Sequence, residues 1–211
     1  MLIAKKVRLL PTREQESLFW QSAGTKRWAY NYGLGRIQDT YKETGEWLMI
    51  GDVGKEITVM KNTEEYEWLN NVSVNVPKHA LRDLQKGLKR KKDGTAEFPT
   101  FKKKHGSRIS FYVNYESLTK TDNGFKGERF GEVLTSEPLP VLPEGEKYSE
   151  PTISFDGKFW YLSVVYKRDF FKESGLEGIL SIDLGLTDLA TIAKDRQDFV
   201  VFANINKSRR V

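Results

Sequence analysis

Residues 181–195, SIDLGLTDLATIAKD, contain carboxylates next to apolar runs, a combination that could hold metal ions. Asp183 lies inside an apolar run that is followed at once by a turn. Carboxylates hold the two Mg²⁺ ions, about 3.5–4 Å apart, that hydrolyse phosphodiesters, but several are needed to do so. The acids that follow are Asp188, Asp195 and Asp198, all in the same hairpin region. Asp183 therefore fits either one acid of a metal centre or a solvated Asp near a turn.

The excess positive charge of the chain is concentrated in residues 78–108. This segment has eleven basic and three acidic residues, a net +8, whereas the whole chain has +5. Phe98 and Phe101 lie among these charges, which suits a surface that follows phosphates and offers ring faces to bases or sugars. The alternative is a solvated helix and a charged loop. The predicted nucleic-acid contacts here are Lys78, Arg82, Lys86, Lys89, Arg90, Lys102, Lys103, Lys104 and Arg108.

A second set of candidate contacts lies in the stretch KRWAYNYGLG. Lys26, Arg27 and Asn31 are predicted to contact RNA or DNA, although Asn31 could instead cap or brace the neighbouring helix. Trp28 and Tyr32 are predicted to be core residues. The two histidines, His79 and His105, have no carboxylate cluster around them in the sequence and are predicted to lie at the surface.

Composition limits the class of protein. With 38% hydrophobic and 30% charged residues, the chain is typical of a soluble globular protein. It has no apolar run long enough for a transmembrane helix, so no membrane partner is expected. The N-terminus lacks a signal peptide pattern. The absence of cysteine excludes disulfides and thiolate metal sites within this sequence, and a cytoplasmic location is expected.

The first half of the chain must position these residues, and its pattern is helical after one strand. MLIAKKVRLL reads as a strand, and Thr12 with Gln15 forms a capping box that begins a helix. We predict a break at Gly24-Thr25 and a second helix that ends at Gly45. Pro77 suits the first turn of an amphipathic helix that runs to Asp93-Gly94 and has a basic side.

The second half of the chain is rich in predicted strands. Asp156-Gly157, between TISF and KFWYLSVVY, is the strongest hairpin signal. The predicted fold class is α+β: a wedge-type β-barrel with a helical insertion, then the beginning of another sheet. The barrel is expected to comprise residues 1–10 and 109–172, the insertion residues 11–108, and the last sheet residues 176–211.

Four stretches, in this order, resemble the TnpB/OrfB family of transposon-encoded proteins, which is related to type V CRISPR effectors. They are LLPTREQESLF, KRWAYNYGLGRI, FPTFKKKHGSRISF and GILSIDLGLTDLATIAKD. The resemblance covers nearly the whole chain. It implies a wedge barrel interrupted by a helical recognition domain, followed by a RuvC-like nuclease domain of the RNase H fold. Older descriptions call such proteins transposases with an N-terminal helix-turn-helix.

The resemblance also implies an activity and partners. Members of this family are RNA-guided DNA endonucleases that use Mg²⁺, hold a guide RNA and read a short motif beside a double-stranded DNA target. Asp183 matches the first acid of the nuclease domain and is the one catalytic and metal-binding candidate, with weak metal binding if any. As a bacterial or phage-borne protein, the chain would be associated with the nucleoid.

In the family the partner Glu, the second Asp and a Cys-bearing zinc module come further along than Val211. The chain is therefore expected to be a truncated, RNA-guided DNA-binding protein without nuclease activity of its own and without a functional cofactor. One alternative is an active endonuclease whose missing C-terminal nuclease portion is supplied by another chain. The other is a helix-turn-helix module that binds duplex DNA without RNA.

Overall fold

A computed structural model describes residues 2–104, 106–167, 181–183, 188–195 and 198–203. The chain divides into two compact units, Met1–Arg168 and Asp169–Val211. The first unit is a mixed structure of helices and an antiparallel sheet, as predicted. The finer division of this unit into a barrel and a recognition insertion stays a prediction.

The sheet of the first unit has seven antiparallel strands in the order β2-β6-β7-β1-β5-β4-β3. Strand β1 joins the two halves of the sheet, because its residues 2–8 pair with β7 and its residues Leu9 and Leu10 pair with β5. The predicted Asp156-Gly157 turn joins β6 to β7. A closed wedge barrel stays a prediction. The strands are β1 (Leu2–Leu10), β2 (Ile109–Tyr112), β3 (Thr119–Lys120), β4 (Gly124–Gly127), β5 (Gly131–Thr135), β6 (Ser149–Phe155) and β7 (Trp160–Lys167).

Alternation along these strands buries one face of the sheet, as expected for strands with one solvated side. Val7 and Leu9 of β1 are buried, as are Trp160, Leu162 and Val164 of β7. The other face of β1 is mixed, with Lys6 and Arg8 beside the exposed Leu2 and Leu10.

Between β1 and β2 the chain is helical. The helices are α1 (Arg13–Thr44), α2 (Ile50–Met60), a 3-10 helix (Glu64–Asn71) and α3 (Asn75–Lys92). The capping box of Thr12 and Gln15 begins α1, and Gly45 ends it with a φ of 76°, both as predicted. Pro77 lies in the first turn of α3, also as predicted.

Helix α1 belongs to both cores of the unit. Its first half packs on the sheet through Phe19, whose ring centroid lies 5.3 Å from that of Trp160. Its second half, with Leu34 and Ile37, packs against α2 and α3 in a separate helical core. Trp28 and Tyr32 stack at 5.3 Å on the rim of that core and are half-buried.

The predicted break at Gly24-Thr25 is wrong, because α1 continues through both residues. Thr25 is buried, and its hydroxyl donates a hydrogen bond to the carbonyl of Gln21 at 2.9 Å, within the helix. A glycine in a helix costs about 1 kcal/mol relative to alanine. Packing of Ala23 and Ala29 on either side offsets that cost.

The second unit contains a three-stranded antiparallel sheet in the order β10-β9-β8. Its strands are β8 (Ser181–Asp183), β9 (Asp188–Asp195) and β10 (Asp198–Ala203). The three strands were predicted, whereas the RuvC-like identity of the sheet stays a prediction. Val200 is 55% exposed and Val201 46% exposed within the structure. Since neighbouring residues of a strand point to opposite faces, both faces present apolar surface.

Across the described ranges, no helix is long and apolar enough to cross a membrane.

Candidate nucleic-acid interface

A groove of about 710 Å³ lies between α1, α3 and residues 102–110 of the first unit. We call it the basic groove. Its walls carry seven basic side chains and a single acidic one, Asp83, a net +6. The basic side chains are Lys26, Arg27, Lys86, Arg90, Lys102, Lys103 and Arg108. All seven were predicted as nucleic-acid contacts, and three separate stretches of sequence supply them.

Helical periodicity aligns the residues of α3 along one wall. Asp83, Lys86, Gly87 and Arg90 recur at spacings of three and four, so they share one face of the helix. The opposite wall comes from α1, whose Gly33 allows a close approach. A Cβ on Gly33 would lie 2.8 Å from Cδ2 of Leu81. The spacing between the two walls therefore depends on a residue without a side chain.

Residues 98–104, which we call the 98–104 segment, cross from α3 to α1 and complete the groove. Pro99 packs on α3, where a Cβ on Gly87 would lie 3.2 Å from Cγ of Pro99. At the other end the side chain of Asn31 holds the backbone of Lys102 in both directions. Its Nδ2 donates to the Lys102 carbonyl at 2.9 Å, and its Oδ1 accepts from the Lys102 amide at 2.7 Å.

Asn31 was predicted as a direct nucleic-acid contact, with bracing as the alternative. Its contacts favour bracing, since its amide is bonded to the 98–104 segment on both sides. The next residues are ordered locally as well: the Lys103 amide donates to Oγ of Ser107 at 3.1 Å. The consecutive lysines are thus presented on a backbone that the fold fixes.

Tyr30 lies at the base of the basic groove and was not predicted as a site residue. It is 7% exposed, and Nζ of Lys102 lies 4.9 Å from the centre of its ring. Burial, and then the charge of Asp83, raises the pKa of Tyr30, so its hydroxyl stays protonated. The signal in the sequence was its position four residues after Lys26, which puts both on one helical face.

The groove keeps most of its charge uncompensated. Lys26 is paired with Asp83, with Nζ and Oδ2 3.0 Å apart. Within the described ranges, the other six basic side chains of the groove make no ion pair with an acidic residue. Lys102, Lys103 and Arg108 are also exposed to solvent. Such a cluster attracts polyanions over about one Debye length, roughly 8–10 Å at physiological salt.

The remaining predicted residues lie outside the basic groove. Arg82 and Lys89 line a second cavity on the other side of α3. Arg82 also approaches Glu150 at 3.9 Å. Lys78 lines a small cavity beside α2. Lys104 is exposed and follows the lysines of the groove wall. The cluster of positive charge in the sequence therefore divides over several faces in the fold.

His79 lies at the surface only in part, and His105 lies outside the described residues. His79 is half-buried, with its ring stacked on that of Tyr112 at a centroid distance of 3.4 Å. Burial, and then the charge of Arg82, lowers the pKa of His79 below its ordinary value. The histidine is thus a neutral packing group where α3 meets β2.

Asp183, the predicted metal-binding acid, ends β8 in the second unit. The strand register puts it opposite Thr191 of β9. Asp188 and Asp195 are three and four residues from Thr191 along β9, which is about 10 Å and 13 Å at the rise of a strand. Across the described ranges, no three His, Asp or Glu side chains are grouped so as to hold a metal ion. In the strand pairing, the residue opposite Asp183 is therefore Thr191 and not a carboxylate.

The first unit combines helices with an antiparallel sheet and carries a cationic groove, as expected for a protein that binds nucleic acid. A family model described as a helix-turn-helix domain, that of the IS605 OrfB proteins, matches residues 1–46. Two curated relatives match most of the chain as well. The chain is therefore similar to proteins of the TnpB/OrfB family.

Both relatives carry names that state an activity. "Putative RNA-guided DNA endonuclease" of Streptomyces pristinaespiralis is 28% identical over 200 residues, which is 90% of this chain and 48% of that protein. "Putative RNA-guided DNA endonuclease InsQ" of Escherichia coli (strain K12) is 22% identical over 210 residues, 99% of this chain and 50% of that protein. The chain thus spans about half the length of these relatives.

A solved structure is also similar to the chain. It is the cryo-EM structure of a Cas12f1–sgRNA–target DNA complex, with a TM-score of 0.42 and 14% sequence identity. The match covers 98% of this chain and 57% of that one.

The description "helix-turn-helix" does not fit the geometry of the matched residues. Between residues 2 and 46 the chain forms strand β1 and then α1, a single helix of 32 residues. A DNA-binding helix-turn-helix needs two helices at an angle, so that the second can enter the major groove. The uninterrupted α1 cannot provide that arrangement.

Proposed function

We propose that this chain binds a guide RNA through its basic groove and takes part in RNA-guided binding of double-stranded DNA. The observation that carries the proposal is the net +6 of the groove, collected from α1, α3 and the 98–104 segment. Phosphate contacts supply most of the affinity for nucleic acid without reading its sequence. In RNA-guided recognition, base pairing reads the sequence and the protein holds the nucleic-acid backbone. A groove of this composition suits that second task.

The similarity of the chain to TnpB/OrfB proteins adds support, because the names of both relatives state RNA-guided DNA endonuclease activity. The wedge barrel and the RuvC-like beginning in residues 176–211 belong to the same proposal. In the full-length family, Mg²⁺ would be the metal of the nuclease domain. We infer that the 211-residue polypeptide binds nucleic acid without cleaving it, since among its described strands the residue opposite Asp183 is Thr191 and not a carboxylate.

The two alternatives receive less support. A duplex-binding module without RNA would use a helix-turn-helix, and the unbroken α1 argues against one in residues 2–46. An active endonuclease completed by another chain would need carboxylates delivered beside Asp183. No described contact favours that arrangement over a protein that binds without cutting.

A charge-removal series tests RNA binding. Replacing Lys102, Lys103 and Lys104 by Ala should weaken RNA binding and make it less dependent on salt. Each lost phosphate contact should reduce the slope of log K against log salt by roughly 0.7–0.9. The control changes three exposed lysines of the sheet region, Lys126, Lys147 and Lys158, to Ala, which removes the same charge elsewhere.

Two measurements decide the outcome. The purified protein should carry RNA, seen as a high ratio of absorbance at 260 nm to that at 280 nm, which RNase lowers. Fluorescence anisotropy with a labelled RNA at several salt concentrations should then give a reduced slope for the groove variant alone. Equal slopes for the two triple variants would show that only net charge matters and would contradict the basic groove as the binding site.

A further inference from the structure

A second groove, of about 1080 Å³, lies on the side of α3 that faces away from the basic groove. We call it the aromatic groove. Its centre is apolar and comes from the loop before α2, from α3 and from the beginning of the 98–104 segment. The apolar residues that line it are Trp47, Leu48, Met49, Ile50, Leu88 and Phe98. The proposed function makes no use of this surface.

The aromatic rings in this groove are held in place although they are exposed. Gly45 reverses the chain after α1, and Trp47 then packs on Tyr41 with 4.8 Å between the ring centroids. The ring centroid of Phe98 lies 6.2 Å from that of Trp47. Trp47 is nevertheless 54% exposed and Met49 is 69% exposed. The loop therefore leaves more than half of Trp47 exposed to solvent instead of burying the residue in the helical core.

The rim of the aromatic groove is strongly basic. It carries Arg82, Lys86, Lys89, Lys91 and Lys92, with Asp93 as the acidic residue among the lining side chains. Lys91 lies 4.0 Å from Glu97, at the limit of an ion pair. Within the described part of the chain, Lys86, Lys89 and Lys92 make no ion pair. An apolar ring face surrounded by cations complements a nucleotide, which joins a flat base to a phosphate.

We propose that the aromatic groove binds unpaired nucleotides of RNA, with a base stacked against Trp47 and its phosphates next to Lys86, Lys89 and Lys92. This inference rests on the proposed function. The bases of a DNA duplex are stacked inside the helix and present no ring face, whereas loops and single strands of RNA do. Of the two partners proposed for this chain, the RNA is therefore the one that fits.

The two grooves also share one basic residue of α3. Lys86 lines both of them, so one strand could leave the basic groove and enter the aromatic groove without a gap in positive charge. The basic groove would hold phosphates alone, and the aromatic groove would add base stacking. Removing the bases from the RNA should therefore lower the affinity of the aromatic groove and leave the affinity of the basic groove unchanged.

The experiment uses the whole chain and two RNA oligonucleotides of twelve units, one of uridines and one abasic throughout, with the same phosphates. In the Trp47→Leu variant, affinity for the uridine oligonucleotide should fall about fivefold or more, the effect of losing one stacked base. Affinity for the abasic oligonucleotide and the salt slope should not change. Trp47→Phe, which retains a ring, should stay within about twofold of the unmodified protein, since stacking tolerates different rings.

The control is Trp68→Leu, which removes another partly exposed Trp, outside both grooves. Circular dichroism spectra establish that each variant is folded. If RNA binding persists and is insensitive to Trp47→Leu, the aromatic groove does not bind bases, while the proposed function stands. Equal losses on the uridine and abasic oligonucleotides would also overturn the inference.

Sedimentation velocity without RNA tests another occupant. A smaller sedimentation coefficient for Trp47→Leu than for the unmodified protein would show that a second copy of the chain covers this face, which overturns the inference. If the unmodified protein binds neither oligonucleotide, the proposed function fails and this inference fails with it.

Discussion

The basic groove and the sheet around Asp183 are both built from charged residues, but they differ in how completely each is assembled. In the groove, seven basic side chains from three stretches of sequence line one cavity. In the sheet, the strand register leaves Asp183 opposite Thr191 and apart from the other acids. Phosphate binding needs charge density and tolerates variation in position, whereas two-metal catalysis needs carboxylates that converge on the ions. The described residues of the first unit provide such charge density, whereas the described strands of the second unit place Thr191 opposite Asp183.

The largest effect should come from filling the contact between the groove walls. In Gly33→Leu a side chain would be forced against Leu81 and Leu84, since a Cβ alone would lie 2.8 Å and 3.1 Å from their Cδ2 atoms. Overpacking of this kind costs about 1–3 kcal/mol. We expect urea denaturation to show that loss in the first unit. RNA affinity should fall as well, because α3 must move away from α1.

A control for this variant is Gly51→Leu, at a glycine of α2 where a Cβ would meet nothing within 4 Å. It should leave the stability and the affinity nearly unchanged. Retained stability in Gly33→Leu would mean that the distance between α1 and α3 is not fixed by this contact.

A smaller effect should follow from releasing the 98–104 segment. Asn31→Ala removes both hydrogen bonds to the Lys102 backbone. Each such bond contributes about 0.5–1.5 kcal/mol, so stability should decrease by about 1–2 kcal/mol. RNA affinity should decrease severalfold while the salt slope stays the same, because every cation remains. Urea denaturation and anisotropy titrations measure the two quantities.

The matched control is Asn70→Ala, which removes a side-chain hydrogen bond of 2.9 Å to the carbonyl of Lys61, away from the groove. It should lower stability without changing RNA affinity. A reduced salt slope for Asn31→Ala would show that phosphate contacts of the neighbouring cations are lost with it, which would contradict the expectation that every such contact remains.

These contacts show which features the sequence could reveal. The basic face of α3, the capping box at Thr12 and the hairpin at Asp156-Gly157 are local patterns, and each was predicted. The role of Asn31 depends on Lys102, which lies 71 positions further along the chain. No periodicity reports such a contact. Gly24 misled the prediction, because its local preference for a break was weaker than the packing of a 32-residue helix.

The histidines illustrate the same limit. His79 is on α3 and its stacking partner Tyr112 is on β2, so the sequence around His79 gave no sign of burial. For Asp183 the position in a strand was predicted, but the register with β9 was needed to show where the other acids lie. Register is decided by pairing across the sheet, which a single strand does not encode.

A still smaller effect concerns pH. Since burial lowers the pKa of His79 below 6.5 in the folded state, the folded protein binds this proton less readily than the unfolded chain. The contribution of neutral His79 to the free energy of unfolding is therefore complete above about pH 6.5. It is lost as the pH falls through the lower pKa of the folded state. Arg82 and Lys26 favour the neutral form, and Glu150 and Asp83 oppose them.

We expect the free energy of unfolding to decrease modestly between pH 7.5 and pH 5.5, and His79→Gln to reduce that decrease. The hydrogen bond from Arg36 is the main cause that lowers the pKa of Glu56 below its ordinary value of 4.5. Protonation of Glu56 therefore decreases the free energy of unfolding only at a pH below that value. The two windows are thus separable by urea denaturation at several pH values. An identical pH profile for the variant and the unmodified protein would mean that His79 does not carry the effect.

The smallest effect is expected from a change at Asp183, in the sheet of the second unit. Asp183→Ala removes an acid that the register leaves apart from Asp188 and Asp195, so we expect no metal pair to depend on it. RNA affinity should be unchanged, since the basic groove lies in the other unit. Neither protein should cleave supercoiled or single-stranded DNA in Mg²⁺ or Mn²⁺, because a lone carboxylate cannot position the attacking hydroxide. Asp188→Ala is the control. Cleavage that is lost in Asp183→Ala and retained in Asp188→Ala would show that carboxylates from another chain complete the centre, and catalysis would then stand beside binding as a function of this protein.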